Sequence, residues 1–234
     1  MKILLALLTI STLIFASIGK ITSFKGSVDI TRDNQKILVK RNIPIETNDI
    51  IATKKDSNAI IMFDDGTIIT IGKDSTLDIK EYVYDSNESA ASRTELHFLK
   101  GAFKSVTGRI GKINPNKFTL KTKTAQIGIR GTVTLGNQEI VACTKGAIKV
   151  SAQAHSVNVD AGEYVTTTKI KLSPAKPLTK DILDLINAQL NTPNIDINDS
   201  SNGLSTIPAK LDKMVEEKDT GGDSSGGDGG GGGH

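Results

Sequence analysis

Aromatic residues are scarce in this chain of 234 residues: Phe and Tyr together make 4%, and Trp is absent. Rings are what stack on bases and sugars, so their shortage counts against both kinds of surface. No run of one charge sign occurs either. Lys and Arg number 29 against 26 Asp and Glu, interleaved, for a net charge of +3. Without a basic arm or stripe, a nucleic-acid partner is not expected. Cysteine occurs once, at Cys143, which excludes an internal disulfide and any multi-cysteine zinc site. The three histidines, His97, His155 and His234, lie far apart with no metal-ligand spacing. What the chain has in quantity is Gly (22 residues) with recurring Thr, Ile and Val, the composition of many short strands joined by tight turns.

Residues 1–19 read as an export signal. Lys2 precedes an apolar run from Ile3 to Ile18, and Ser17 and Gly19 are small residues at the spacing of a cleavage site. The run is short for a membrane span, and strand-like sequence follows directly; an uncleaved N-terminal anchor is the alternative. The expected mature protein starts at Lys20 and is periplasmic or secreted, with no further membrane span.

Residues 20–172 alternate strand patterns with turns. Phe24, Val28 and Ile30 share one period-2 face, Asp33-Asn34-Gln35 turns the chain, and Ile37 and Val39 resume. Asp64-Asp65-Gly66 between Ala59–Phe63 and Thr67–Ile71 is a strong hairpin signal, because Gly takes positive φ without steric cost. Lys-Gly pairs at Lys25-Gly26, Lys100-Gly101 and Lys145-Gly146 each lead into a strand pattern, at unequal intervals that exclude a regular solenoid. The central ribbon runs from Lys117 to Gly136. Its apolar positions are even at Phe118 and Leu120 but odd at Ile127, Ile129, Val133 and Leu135, which predicts a bulge or sharp corner near residues 124–128.

Residues 173–218 change period. Leu178, Ile182, Leu185, Ile186 and Leu190 predict a helix with Thr179 as N-cap and Asp181 in its first turn, and Ile207, Leu211, Met214 and Val215 predict a second. Residues 219–234, mostly Gly, Ser and Asp, read as a disordered tail. The fold class expected is therefore all-β, a two-layer sandwich or roll of many short strands with one or two short C-terminal helices.

The ordered landmarks resemble the FecR domain of bacterial cell-envelope proteins. They are Lys25-Gly26-Ser27-Val28; Asp49-Ile50-Ile51-Ala52-Thr53; Ile61 to Phe63 with Asp64-Asp65-Gly66-Thr67; Gly72 to Ser75; Leu99-Lys100-Gly101; Phe118-Thr119-Leu120; Ile129-Arg130-Gly131-Thr132; Lys145-Gly146; and Ala161-Gly162-Glu163. The resemblance spans about 24–168 and marks Asp49, Asp65, Gly66, Thr67, Gly101, Arg130, Gly131, Thr132, Gly146 and Gly162 as structural motif positions. Where the family usually has Gly before the second landmark, this chain has Asn48, the residue next most tolerant of positive φ. The segments by which signalling members bind a sigma factor and a receptor have no counterpart here, so that role does not carry over. The resemblance implies a non-enzymatic, extracytoplasmic protein-interaction module, with an envelope protein as partner and no cofactor. A carbohydrate- or peptidoglycan-binding module is the rival, and a hydrolase the weakest reading.

Catalytic readings have little support in the residues. Asp64-Asp65-Gly66-Thr67 evokes phosphatases that use Asp-x-Asp-Gly-Thr, but Phe63 stands where their nucleophile would be. His97, among Leu96, Phe98 and Leu99, reads as a strand-face residue. Residues 198–203 mimic a calcium loop but would place Ala209 where Glu is needed. Arg130 has three readings: an exposed strand residue, a ligand-binding cation, or a fork clamping Asp49, Asp65 or Asp74. The clamp is preferred, because the planar guanidinium matches a carboxylate.

Overall fold

A computed structural model describes residues 17–86, 89–169 and 171–192. Nearly all of the described chain is extended. The strands are β1 (Gly19–Lys25), β2 (Val28–Arg32), β3 (Gln35–Leu38), β4 (Ile43–Ile45), β5 (Ile50–Thr53), β6 (Asn58–Phe63), β7 (Ile68–Ile71) and β8 (Thr76–Val83). They continue with β9 (Arg93–Lys100), β10 (Phe103–Val106), the short helix α1 (Arg109–Ile113), β11 (Phe118–Lys121) and β12 (Gln126–Gly136). Next come β13 (Ile140–Ala152), β14 (His155–Asp160), β15 (Glu163–Thr166), β16 (Lys176–Pro177) and helix α2 (Lys180–Leu190).

All sixteen strands belong to one sheet, in the order β3-β2-β5-β8-β9-β11-β12-β10-β7-β6-β1-β4, with the long β13 pairing β12 and carrying β14 and β15. Consecutive strands β1 and β2 lie near opposite ends of that order. The sheet therefore curls on itself, and its two halves face each other across a common core. Ile30, Ile51, Ile61, Ile69, Leu77, Leu96, Phe103, Phe118, Ile127 and Val150 meet there, all buried. The expected all-β roll is what the chain forms. With few rings to fill the interior, Phe98 and Phe103 stack at 4.0 Å and Phe63 and Tyr82 at 5.0 Å, each pair adding about 1 kcal/mol beyond its burial.

The hairpins follow from local chemistry. Asp33 and Asn34, at φ 50° and 63°, form the two-residue turn between β2 and β3, the mirror-image turn whose twist matches the strands. Asn48 takes φ 72°, as its place before the second landmark predicts. The glycines of all three Lys-Gly pairs lie at φ between 72° and 80°. The repeat is thus a shared positive-φ backbone conformation, at two turns and a strand bulge, rather than a duplicated unit.

The central ribbon turns a sharp corner beside the predicted stretch, by a hairpin rather than a bulge. Lys117–Gly136 is two antiparallel strands, β11 and β12, joined by a turn in which Thr122 N donates to Ala125 O at 2.8 Å. Chain reversal resets the side-chain phase, so Leu120 and Ile127 pair on one face without any bulge. The bulge lies further on. Gly131 and Thr132 together oppose Gly146 on β13, and Thr144 is the compensating extra residue on that partner. Past this point Thr132 and Thr134 turn inward while Val133 and Leu135 turn outward, so the odd-numbered residues do not share one face.

α2 begins where the sequence places it. Thr179 Oγ1 accepts from Ile182 N and Asp181 occupies the first turn. Its buried face is Leu183, Ile186, Asn187 and Leu190, not Leu185, which is 44% exposed. The face packs on Ala102, Leu135 and Ala142, outside the curled sheet. The second predicted helix, residues 207–215, and the predicted tail lie outside the described residues. So does most of the predicted signal. α1 was not expected, because Gly108 and Gly111 weaken the helical pattern of residues 109–113. Among the described residues no helix is long and apolar enough to cross a membrane.

Candidate functional site

Two turns organise the end of the roll that carries Arg130. The first is Asp65-Gly66-Thr67, which closes the β6–β7 hairpin. Asp65 is 2% exposed. Its carboxylate accepts from Thr67 N (3.0 Å), Thr67 Oγ1 (2.8 Å), Tyr82 OH (3.1 Å) and Ile110 N (3.1 Å). Its backbone carbonyl accepts from Arg109 N at 2.9 Å, and Thr67 Oγ1 accepts from Gly108 N at 3.0 Å. One carboxylate thus ties β7, β8 and the entry to α1 together. Burial beside Asp65 pushes the Tyr82 phenol far above its ordinary range, so it stays a neutral donor. Phe63, at the position of a phosphatase nucleophile, is buried against Tyr82. The motif is a structural turn, as its Asp-Gly chemistry predicts.

The second is the double bulge between β12 and β13. Thr107 N donates to Thr132 O at 3.0 Å, and the hydroxyls of Thr107, Thr132 and Thr134 follow one another at 3.3 and 3.2 Å inside the roll. Gly131 takes φ 60° and Gly146 takes φ 77°. A Cβ on Gly146 would sit 2.7 Å from Gly131 O and 3.2 Å from Arg130 O, so the two bulged backbones meet where only glycine fits. Arg130, Gly131, Lys145 and Gly146 are exposed as a result.

Arg130 is therefore not a clamp. It makes no ion pair or side-chain hydrogen bond among the described residues. The fork that the sequence calls for exists, but it is Arg32. Arg32 Nε and Nη2 each reach Asp49 at 2.7 Å, Nη1 pairs with Glu46, and Asp49 is fully buried. Asp49 also accepts from Glu46 N at 2.8 Å. The Asp49 hydrogen bond holds Arg32 above its ordinary pKa range. Sequence reasoning missed Arg32 because it stands beside the Asp33-Asn34 turn, where an exposed Arg is unremarkable, and 17 residues from its partner.

The remaining motif positions sit apart from this end. Gly101 lies against Ser75, whose hydroxyl accepts from Ala102 N at 3.1 Å. Gly162 turns the chain from β14 into β15, its carbonyl accepting from Leu178 N at 2.7 Å. Cys143 is buried and its thiol pushed up to about 11, mainly by burial, which makes it unreactive. On the outer face His97 Nε2 and Lys121 Nζ meet Glu95 at 2.5 and 2.8 Å, and the Lys121 hydrogen bond leads in lowering the Glu95 pKa. Among the described residues no group of three or more His, Cys, Asp or Glu is placed to hold a metal ion.

Comparison with curated proteins finds no match. Two crystal structures of a candidate anti-sigma factor from Parabacteroides distasonis ATCC 8503 are similar, with 13% and 12% sequence identity and a TM-score of 0.44 in each case. The similarity covers 55% of this chain and 59% of theirs, so this chain spans less than two thirds of their length. The family described as FecR protein matches residues 49–158, a stretch that holds the buried Asp49, the Asp65 turn and both strands of the double bulge. The chain carries a FecR-domain region over residues 49–158.

Proposed function

We infer that this protein is a non-enzymatic, extracytoplasmic module of the bacterial cell envelope that binds another protein through the surface around Arg130 and Gly131. The FecR-domain region supports the envelope setting, and the export-signal pattern of residues 1–19 supports a periplasmic or secreted location. One observation carries the choice of surface. Asp49, Asp65, Thr67 and Thr132 are all buried in hydrogen bonds that hold the fold, whereas Arg130 is exposed and engages none of them. A guanidinium that pairs with none of the described residues, on a glycine-supported bulge, is available to a partner's carboxylates or carbonyls. Among the described residues the same surface offers no exposed ring for sugar stacking. Tyr82 is buried, Tyr84 and Tyr164 are half-buried, and four of the six Phe are core residues.

Photo-crosslinking in cells tests this reading. A crosslinker at Lys145 should capture one defined envelope protein, and one at Lys36 on β3 should not. Arg130→Glu should abolish the capture with the thermal midpoint unchanged. Equal capture from both positions, or capture that survives Arg130→Glu, would overturn the assignment of the surface. Retention on isolated peptidoglycan in place of a protein partner would favour the carbohydrate-binding module.

A further inference from the structure

The first described residues already belong to the fold. β1 lies between β4 and β6, and Gly19 is paired on both sides, with Ile45 and with Phe63. The pairing extends one residue further back. Ile18 N donates to Ile45 O at 3.0 Å, and Ile18 O accepts from Asp64 N at 3.0 Å. The Ile18 side chain is 8% exposed and joins the core with Ile21, Ile45 and Phe63. Its carbonyl thus braces the residue beside Asp65, whose carboxylate organises this end of the roll. Ser17 stands outside the pattern. It is exposed, and its hydroxyl donates to Gly19 O at 3.0 Å.

This boundary bears on where the leader of an exported chain is removed. By sequence, Ser17 and Gly19 give the small-residue pattern for a cut after Gly19. That cut would remove Ile18 from the core and leave Ile45 O and Asp64 N without their partner. It would also set the new ammonium on Lys20, half-buried and flanked by Pro44 and Met62 on the neighbouring strands. A charge held within strand pairing gives up water that an exposed terminus keeps. A terminus at Ser17 avoids both losses. Access points the same way. Proteolysis needs the chain locally open, and the Gly19–Lys20 bond lies within paired β1, whereas the Ala16–Ser17 bond precedes it.

We propose that the processing site of this chain is the Ala16–Ser17 bond, three residues before the one that the small-residue pattern marks. The proposal rests on the export-signal reading of the N-terminus and adds to it the position of the cut. A leader-removing peptidase hydrolyses that bond. Water adds across the C–N bond, the leader leaves with the Ala16 carboxylate, and the mature chain begins with the Ser17 ammonium. Ala16 is the small residue needed directly before the cut. Ile14, two residues earlier, is larger than the pattern prefers, which is why sequence alone points to Gly19 instead. The fold reverses that order, because every residue from Ile18 onward that β1 uses stays with the mature protein.

N-terminal sequencing and intact mass of the exported protein, made from the full-length chain in a bacterial host, test the position. The expected product begins at Ser17. A processed chain beginning at any other residue, Lys20 above all, overturns the proposal while leaving the export signal in place. A chain that keeps Met1 overturns both, in favour of an uncleaved anchor. Two variants of the full chain separate the sites. Ala16→Leu should leave about tenfold more precursor than the parent. Ser17→Leu, which alters the small residue two before Gly19, should be processed as the parent is. Processing that survives Ala16→Leu, or is lost in Ser17→Leu, overturns the proposal. Ile18→Ala reads the structural premise. In the mature protein it should lower the urea midpoint by about 0.5–1 M, and an unchanged midpoint overturns the role given to Ile18.

Discussion

Removing the Asp65 carboxylate isolates the interaction on which this end of the roll depends. Asp65→Ala leaves Thr67 N, Ile110 N and the hydroxyls of Thr67 and Tyr82 without their acceptor, in a site where Asp65 is 2% exposed. A hydrogen bond to a charged group is worth about 1.5–3 kcal/mol, and a buried donor left unpaired costs about 1–3 kcal/mol. The four share one acceptor, and water enters the space left behind, so the losses do not sum. The expected loss is about 3–5 kcal/mol. With a urea m-value of about 2 kcal/mol/M, the midpoint should fall by about 1.5–2.5 M at unchanged m, followed by far-ultraviolet circular dichroism. Asp65→Asn, which keeps one acceptor oxygen but points an amide at donors, should fall in between. Arg130→Ala, five strands' worth of sequence later in the same family region, should move stability by less than about 0.5 kcal/mol. A loss below about 1 kcal/mol for Asp65→Ala would refute the view that this carboxylate holds three elements together.

Arg32→Ala should cost about 2–4 kcal/mol, because it leaves the buried Asp49 carboxylate with only the Glu46 N–H among its described donors; Arg32→Lys should not restore it, since an ammonium cannot reproduce the fork. Both are read by thermal melts, and a neutral Arg32→Ala would show the clamp to be incidental. Gly146→Ala should destabilise more than Gly162→Ala: both take φ near 80°, but only the Gly146 Cβ meets backbone, at 2.7 Å, while Gly162 has nothing within 4 Å. About 1 kcal/mol is expected for the conformational strain alone, and equal melting points would refute the close approach. Burial lowers the Lys104 pKa to about 8. Between that value and the ordinary one near 10.4, the unfolded chain holds a proton that the folded one has released, so Lys104 makes stability rise with pH across this window. The stability gap between the parent and Lys104→Met should therefore shift in the parent's favour from pH 8 to pH 10, and a flat difference would contradict the burial of this amine.

Much of this architecture is legible in residue order, and the misses have specific causes. Asp33-Asn34 and Asp64-Asp65-Gly66 turn where their own backbone preferences require, and Thr179 caps α2 through an atom three residues from its donor. The phase change in the central ribbon is legible too, but not its cause, since a hairpin and a bulge both shift the parity of apolar positions. Arg130 and Arg32 show the same limit more sharply. The chemistry of a fork on a buried carboxylate is foreseeable, and so is Asp49 as a candidate for it. Which arginine arrives there depends on the antiparallel pairing of β2 with β5, whose Thr31–Ile50 register sets Arg32 across from Asp49.

Short-range chemistry alone determined the strands, their turns, the cap of α2 and the scarcity of catalytic groups, because each rests on neighbours within a few residues. Long-range strand pairing decided the rest: which carboxylates are buried, which bulge exposes Arg130, and which outer-face residues α2 packs on. Those outcomes join residues 17 to 133 positions apart, and no local preference reaches that far.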